Sequence, residues 1–154
     1  MGDVLDDQGR LKEEGYLSRH RRTYNPGPPQ EGIRHKKWDY YSVFTSKGEF
    51  FSVAVANLGL LSNVFITYKI GADIITEEKL IFSDVTLSNQ PTEGNIALDV
   101  GHWQVNVTNY DNFRKRIYVY NNTPQDVIKF DAVFTTHDTQ ESMTALLPFN
   151  EDGS

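Results

Sequence analysis

From Trp38 onward the chain is a series of β-branched and aromatic segments joined by very short linkers, and this spacing constrains the fold most strongly. Ser46–Gly48 and Gly71–Asp73 are linkers of only three residues. Linkers this short join antiparallel hairpins and leave no room for the helix that a parallel crossover requires. Segments that recur about every ten residues between turn signals are typical of a β-sandwich or a β-barrel.

The same pattern predicts where the strands lie. Nine segments are predicted: Trp38–Thr45, Glu49–Asn57, Leu61–Ile70, Ile75–Phe82, Asn95–Val100, Trp103–Asn109, Phe113–Asn121, Val127–Thr136 and Glu141–Leu147. In the eighth segment Ile128 and Phe130 fall on one face and Lys129 and Asp131 on the other, so one face is core and the other is solvated. We therefore predict an all-β fold, an antiparallel up-and-down sheet or barrel of the lipocalin-like kind.

One segment departs from this pattern of a single apolar face. The strand around Phe51 has apolar or small side chains on both faces. Phe51, Val53 and Val55 share one face, and Ser52, Ala54 and Ala56 share the other. Strands of this composition are covered on both sides. We expect a terminal arm or a second domain to supply the second cover.

The ends of the chain differ from the body. Residues 1–33 lack a sustained apolar period, and Tyr24–Pro29 is too rich in Pro and Gly for a helix or a central strand. We predict an extended N-terminal arm over 1–33, an antiparallel β domain over 34–149 and a disordered tail over 150–154. Since the sequence has neither a secretory signal nor an apolar stretch of membrane-helix length, we expect a cytoplasmic protein with no membrane span.

Composition and charge exclude several function classes. The chain has no cysteine, which excludes disulfides, thiolate metal sites and cysteine nucleophiles. Its four histidines lack the paired spacing of a metal site, so we predict no metal and no other cofactor. Residues 1–37 hold eight Lys and Arg against six Asp and Glu, and the remainder holds seven against fifteen. Because this acidic body repels a polyanion, we expect no nucleic-acid partner.

The densest polar cluster is Arg34–Tyr41, where four potential cations lead directly into a strand with one carboxylate and three aromatic rings. Alternation puts Asp39 and Tyr41 on one face of that strand. A carboxylate and a phenol on one face bind a ligand or exchange a proton when they face a cavity. The hypothesis is a ligand site formed by Arg34, His35, Lys37, Trp38, Asp39 and Tyr41, with Asp39 and Tyr41 as catalytic candidates. The competing interpretation is an edge strand with a solvated basic lead-in.

Several short strings, taken in order, resemble a known family. They are Leu5–Leu11, Gly15–Tyr16, Lys36–Tyr41, Val53–Gly59, Glu141–Met143 and Leu147–Phe149. Together they resemble the amino-terminal half of the bacterial domain-of-unknown-function family numbered twenty-eight-oh-four, which is distantly similar to lipocalin-type carotenoid hydratases and tocopherol cyclases. The resemblance implies a longer protein with a second β-rich half, absent from this chain, as a partner. It assigns no catalytic residue.

Three functions remain open beside a purely structural role. The first is binding of a small apolar ligand, because barrels of about eight strands enclose one such molecule. The second, by analogy with the relatives named above, is a hydratase-like or cyclase-like enzyme on an apolar or isoprenoid-like substrate, with Asp39 as general acid and Tyr41 as its orienting partner. The third is a carbohydrate-binding sandwich that stacks sugars on Trp38, Trp103 and the Tyr-rich strand Phe113–Asn121.

Overall fold

A computed structural model describes residues 2–8, 10–13, 15–17, 22–23, 36–82, 85, 87, 94–111, 113–124, 126–137 and 144–146. Every regular element in these residues is a strand, and the described part contains no helix. The strands are β1 (Gly2–Asp3), β2 (Gly15–Leu17), β3 (Arg22–Thr23), β4 (Lys37–Phe44), β5 (Phe50–Asn57), β6 (Ser62–Ile70), β7 (Asp73–Ile81), β8 (Ile96–Val100), β9 (Trp103–Asn109), β10 (Arg114–Asn122), β11 (Val127–Thr135) and β12 (Thr144–Leu146).

Eight of these strands form two four-stranded sheets. The first sheet has the order β4-β5-β6-β7 and the second the order β11-β10-β9-β8, and all neighbours within them are antiparallel. The eight strands begin and end within two residues of the predicted bounds. The prediction of an antiparallel all-β fold with up-and-down connections is confirmed.

The barrel alternative was wrong, because in the described residues no strand of one four-stranded sheet pairs with a strand of the other. Strands β4 and β7 remain the edges of the first sheet, and β8 and β11 remain the edges of the second. A barrel needs its first and last strands to pair, whereas here two open sheets face each other across a layer of side chains. The architecture is an open sandwich.

The core lies between the inner faces of the two sheets. The first sheet contributes Val53, Val55, Val64 and Ile66, and the second contributes Ile96, Leu98, Trp103, Val105, Val107, Ile117 and Val119. The rings of Phe51 and Phe130 stack across the two sheets, with centroids 4.1 Å apart. Burying one side chain of this kind contributes about 1.5–3 kcal/mol. Packing therefore holds the sheets together where hydrogen bonds do not.

Two of the hairpins turn at a glycine with positive φ. Gly71 and Gly101 both have a φ of 65°, and each opens a two-residue loop between paired strands. The second residues, Ala72 and His102, do not have positive φ. This combination is that of a type II′ turn, which requires glycine at its first central position and matches the twist of the strands.

The connection between β7 and β8 is pinned to the first sheet. The Lys37 ammonium donates a hydrogen bond to the Leu87 carbonyl at 2.7 Å, and the Asn57 amide donates to the Val85 carbonyl at 3.1 Å. The backbone N–H of Val85 donates to the Ser62 hydroxyl at 3.0 Å. Val85 and Leu87 are themselves buried. Three strands of the first sheet thus bind this connection to the core.

Less of the predicted arm and tail is described. A tight turn lies near the start, where the Asp6 N–H donates to the Arg10 carbonyl and Leu5 forms a bridge with Leu11. Strands β1 and β3 pair in parallel, and β2 pairs with β12. Residues 24–35 and 147–154 lie outside the described residues, so the extended arm, the disordered tail and the domain bounds stay predictions.

Candidate functional site

The edge strand β4 alternates between the interior of the sandwich and solvent. Lys37, Asp39 and Tyr41 point inward and are half-buried, while Trp38 and Tyr40 point outward and are exposed. The predicted division of this strand into two faces is confirmed. The inner side of this edge strand therefore carries polar groups where the central strands carry aliphatic ones.

A half-open cleft lies between the inner side of β4 and the strands β9 to β11 of the opposite sheet. We call it the Tyr41 cleft. Its volume is about 500 Å³. Val43, Ile117 and Phe134 provide apolar walls, and Tyr41 and Lys115 bring polar groups to the same wall region. The cleft exists because the inner side chains of the two edge strands, β4 and β11, are only partly covered.

Two cations line this cleft: Lys115, which points inward, and Arg114, which forms an ion pair with Asp111 at 2.8 Å. The Lys115 Nζ lies 4.8 Å from the centroid of the Tyr41 ring, within the range of a cation–π interaction. Lys115 follows the same inward row of β10 as the buried Ile117 and Val119. Partial burial lowers the pKa of the Lys115 ammonium, and the nearby charge of Asp39 opposes that effect.

Asp39 and Tyr41 form a coupled pair on the inner side of β4. Desolvation raises the pKa of the Asp39 carboxyl, while the charges of Lys115 and Lys37 and a hydrogen bond with Tyr41 act against it. Desolvation, followed by the charge of Asp39 and the same hydrogen bond, raises the pKa of Tyr41 well above its usual value. The phenol therefore stays protonated and donates to the Asp39 carboxylate.

The remaining predicted site residues are not gathered at this cleft. The Lys37 ammonium is bound to the Leu87 carbonyl, and desolvation lowers its pKa. Trp38 lies on the opposite face of the sheet. Arg34 and His35 lie outside the described residues. Of the residues predicted for the site, the structure brings Lys37, Asp39 and Tyr41 together on one face, and Tyr41 lines the cleft.

One known protein family matches the whole sequence. The family model described as domain of unknown function (DUF2804) matches residues 1–154. The chain belongs to the DUF2804 family. No curated protein and no solved structure matches it. Membership confirms the family suggested by the sequence strings, while the bacterial origin and the likeness to carotenoid hydratases and tocopherol cyclases stay predictions.

The cleft of this DUF2804 chain includes residues that the sequence hypothesis missed, namely Lys115, Ile117 and Phe134. A signal for Lys115 was present. Ile117 and Val119 mark the apolar face of β10, and a lysine two residues before Ile117 shares that face. A cation beside buried apolar residues in one row is the kind of residue that marks a site. Pairing it with Tyr41 required the packing of the two sheets, which alternation does not reveal.

A second cleft of about 430 Å³ lies on the other side of Val43. Phe50, Phe51 and Phe130 line it, and the hydroxyl of Tyr68 donates to the Asp126 carboxylate at 3.3 Å within it. No predicted site residue contributes to this cleft. Tyr68 and Asp126 are thus paired with each other, and Lys69 and Lys129 also line this cleft.

The aromatic residues proposed to stack on sugars lie in different environments. Trp38 is 64% exposed, but Trp103 is only 2% exposed and lies in the core. The expectation that Trp103 stacks on a sugar was wrong, because its inward row on β9 is the wholly apolar one. Arg116 lies 5.7 Å from the Tyr118 ring on the outer side of β10, in the cation–π arrangement expected of an exterior face.

The described residues contain neither a metal-binding cluster nor a membrane-spanning helix. No group of three or more His, Asp or Glu side chains there has the arrangement needed to hold a metal ion. No helix in the same residues has the length and apolar character needed to cross a membrane.

Proposed function

We propose that this DUF2804 chain binds a small, largely apolar ligand in the Tyr41 cleft, with an acceptor group of the ligand against the Lys115 ammonium. The observation that carries the proposal is the cleft itself, which has a volume of about 500 Å³, a mainly apolar surface and the polar pair Tyr41 and Lys115. Asn109, Asp111, Arg114 and Thr136 also line it. Ligand sites typically have volumes of about 300–1,000 Å³, mostly apolar linings and a few convergent polar groups. The Tyr41 cleft meets each of these conditions.

The polar pair points to the class of ligand. An ammonium has three N–H donors, so Lys115 can donate to a ligand as well as to its neighbours in the protein. Its ammonium is partly desolvated, and an anionic acceptor forms a hydrogen bond about twice as strong as a neutral one. Val43, Ile117 and Phe134 offer contact to a hydrocarbon body. A long-chain carboxylate combines these two features.

A fluorescent long-chain carboxylate and the alcohol of the same chain length test the proposal. We expect Lys115→Met to weaken carboxylate binding by about tenfold or more, because hydrogen bonds to charged groups contribute about 1.5–3 kcal/mol. The alcohol should lose much less affinity. Lys47→Met, in the exposed turn after β4, is the matched control and should change neither titration.

The location of binding needs its own variants. Thr136→Trp adds bulk at the exposed rim of the Tyr41 cleft, away from the second cleft, and should abolish binding of both probes. Ile70→Trp adds comparable bulk at the exposed rim of the second cleft and should leave binding intact. If the wild-type chain binds neither probe, or if Thr136→Trp binds both as tightly as the wild type, the proposal is wrong. Binding lost in Ile70→Trp instead would move the site to the second cleft.

Proton-transfer catalysis at the same cleft is the second candidate, favoured by one observation. Asp39 has a raised carboxyl pKa and a hydrogen bond with Tyr41, a combination that recurs in acid–base sites. Two facts favour binding over catalysis. Tyr41 and not Asp39 lines the cleft, and the raised pKa of Tyr41 makes its phenol a weaker acid.

An isotope experiment separates the two candidates. An isoprenoid alkene alcohol is incubated with the protein in ¹⁸O-labelled water and recovered for mass spectrometry. We expect the compound to be recovered unchanged. Incorporation of the label that is lost in Asp39→Asn would favour the hydratase-like enzyme and assign Asp39 the acid role.

A further inference from the structure

The outer face of the first sheet carries large apolar side chains where a solvated sheet carries polar ones. We call it the aromatic face. It consists of Trp38, Tyr40 and Phe44 of β4, Phe50 of β5, Phe65 of β6, and Ile74 and Leu80 of β7. The small Ala54 lies between Tyr40 and Phe65 in the register and is only 6% exposed. In the register a row of small uncharged side chains, Ser42, Ser52, Thr67 and Thr76, divides this face into two apolar groups. One group contains Trp38, Tyr40, Phe65 and Leu80, and the other contains Phe44, Phe50 and Ile74.

The size of this surface is unusual for an isolated chain. Five of its side chains are at least half exposed: Trp38 64%, Tyr40 54%, Phe44 76%, Ile74 64% and Leu80 50%. With about 150–250 Å² for a large aromatic side chain, they present on the order of 600 Å² of apolar area. The largest patch on a typical monomer is about 300–600 Å², and patches of that size are often functional. The two groups of the aromatic face together reach the upper end of this range.

The charges on this side of the strands indicate what kind of partner fits. Lys69 and Glu78 are the outward-facing charged residues of β4 to β7, one of each sign. Glu78 already accepts a hydrogen bond from the Asn63 amide at 2.8 Å. The remaining outward polar residues are uncharged Ser, Thr and Asn. A strongly charged partner gains nothing here, whereas another uncharged apolar face is complementary.

We infer that the aromatic face is an interface with a second copy of this chain. A two-fold axis joins the same patch on both partners, so one apolar face is sufficient to build the contact. Each partner of a standard interface buries about 800 Å², and about 65% of that area is apolar in homodimers. The aromatic face supplies an apolar area of this size. Most of the Tyr41 cleft lies on the other side of the first sheet, and the aromatic face borders it only at Tyr40 and Ser42.

Analytical ultracentrifugation of the full chain from low to high micromolar concentration tests the inference. We expect a reversible dimer whose dissociation constant rises by about tenfold or more in Phe44→Ser and in Tyr40→Asp, since exposed aromatic anchors dominate such interfaces. The matched controls lie on the outer face of the second sheet. Val133→Ser and Tyr118→Asp make the same kinds of change there and should leave the dissociation constant unaltered.

Tryptophan fluorescence provides a second measurement and a check on folding. Trp38 is largely exposed and should shift its emission to shorter wavelength as the dimer forms, whereas the emission of buried Trp103 should stay constant in every folded variant. A chain that is monomeric over the whole concentration range overturns the inference. So does a dimer that Phe44→Ser and Tyr40→Asp leave intact while their Trp103 emission reports a native core.

Discussion

The two four-stranded sheets share one topology but differ in their outer faces. On the second sheet, Arg116 donates two hydrogen bonds of 2.8 Å to Asp131, in the polar environment expected of a solvated face. On the first sheet, Trp38 and Tyr40 also point outward and are more than half exposed. Alternation decides which side chains face the core, and it leaves the chemistry of the other face open. The proposed interface with a second copy rests on this difference between the two outer faces.

Their inner faces differ as well. On central strand β9 the inward residues are Trp103, Val105 and Val107, all buried. On edge strand β4 the inward positions hold Asp39 and Tyr41, both half-buried. An edge strand borders solvent, so it tolerates inward charge that a central strand does not. The cleft therefore forms at the edge of the sandwich and not in its centre.

Replacing one tryptophan from each sheet should give the largest difference in the free energy of unfolding. Trp103→Ala removes a fully packed side chain and should lower the free energy of unfolding by about 3–5 kcal/mol. Trp38→Ala removes an exposed one and should change it by no more than about 0.5 kcal/mol in the monomer. Urea denaturation at low protein concentration measures both. Equal losses would mean that Trp38 also packs within the chain and that the contrast between the faces is false.

The buried polar residues of the two sheets should respond in opposite ways. Ser62 accepts a hydrogen bond from the buried Val85 N–H, so Ser62→Ala should cost about 1–3 kcal/mol. Asn121 of the second sheet is fully buried, and its amide has no hydrogen-bond partner among the described residues. Because Asn121→Leu removes a desolvated amide, it should cost less than about 1 kcal/mol or stabilise the fold.

Urea denaturation again provides the measurement, with exposed Asn122→Leu as the control for the change in side-chain shape. If Asn121→Leu costs more than Ser62→Ala, the Asn121 amide makes hydrogen bonds that stabilise the core, and a buried water is the natural partner.

The two glycine turns, one in each sheet, should lose similar amounts of stability when the glycine is replaced. A Cβ on Gly71 or Gly101 would have no atom within 4 Å, so alanine there meets only the backbone cost of a positive φ. Both Gly71→Ala and Gly101→Ala should lose about 1–2 kcal/mol. Ala72→Ser, at the second loop position, serves as the control with little effect. Thermal unfolding compares the three, and a large difference between the two glycine variants would show that one hairpin changes its turn type.

The smallest effect should appear in the pH dependence of stability. Desolvation raises the pKa of Asp39 above its ordinary value of 3.8, so the folded state holds the extra proton just above that value. Stability from this group therefore increases as the pH falls through that window. The hydrogen bonds from Arg116 lower the pKa of Asp131, so the stability it contributes is present above 3.8 and is lost as the pH falls further.

Urea titrations from about pH 3 to pH 6 of the wild type, Asp39→Asn and Asp131→Asn measure the two signs separately. Asp39→Asn should remove an increase in the free energy of unfolding that the wild type shows as the pH falls. Asp131→Asn should remove a decrease in the same quantity. If the slope of the free energy of unfolding against pH changes in the same direction in both variants, the two carboxylates do not differ as described.

The fold could be predicted from the sequence because the features that determine the strands are short-range. Hairpin linkers, glycine turns and alternation placed the eight long strands, and Lys129 and Asp131 fall on the outer face as predicted. The candidate site was predicted only in part. Asp39 and Tyr41 share the inner face of β4, but their neighbour Lys115 comes from a strand more than seventy residues later. Closure into a barrel depended on whether edge strands pair, which is also a long-range property.

Every one of the eight long strands pairs only with a strand adjacent to it in the described chain. Each sheet can thus assemble by successive hairpins, and each hairpin closes a loop of only a few residues at a small entropic cost. The packed sandwich nevertheless contains many contacts between residues distant in sequence, and domains rich in such contacts fold more slowly than domains dominated by local ones. Docking of the two preformed sheets, with Trp103 between them, is then the step in which distant parts of the chain first meet, and it should limit the folding rate.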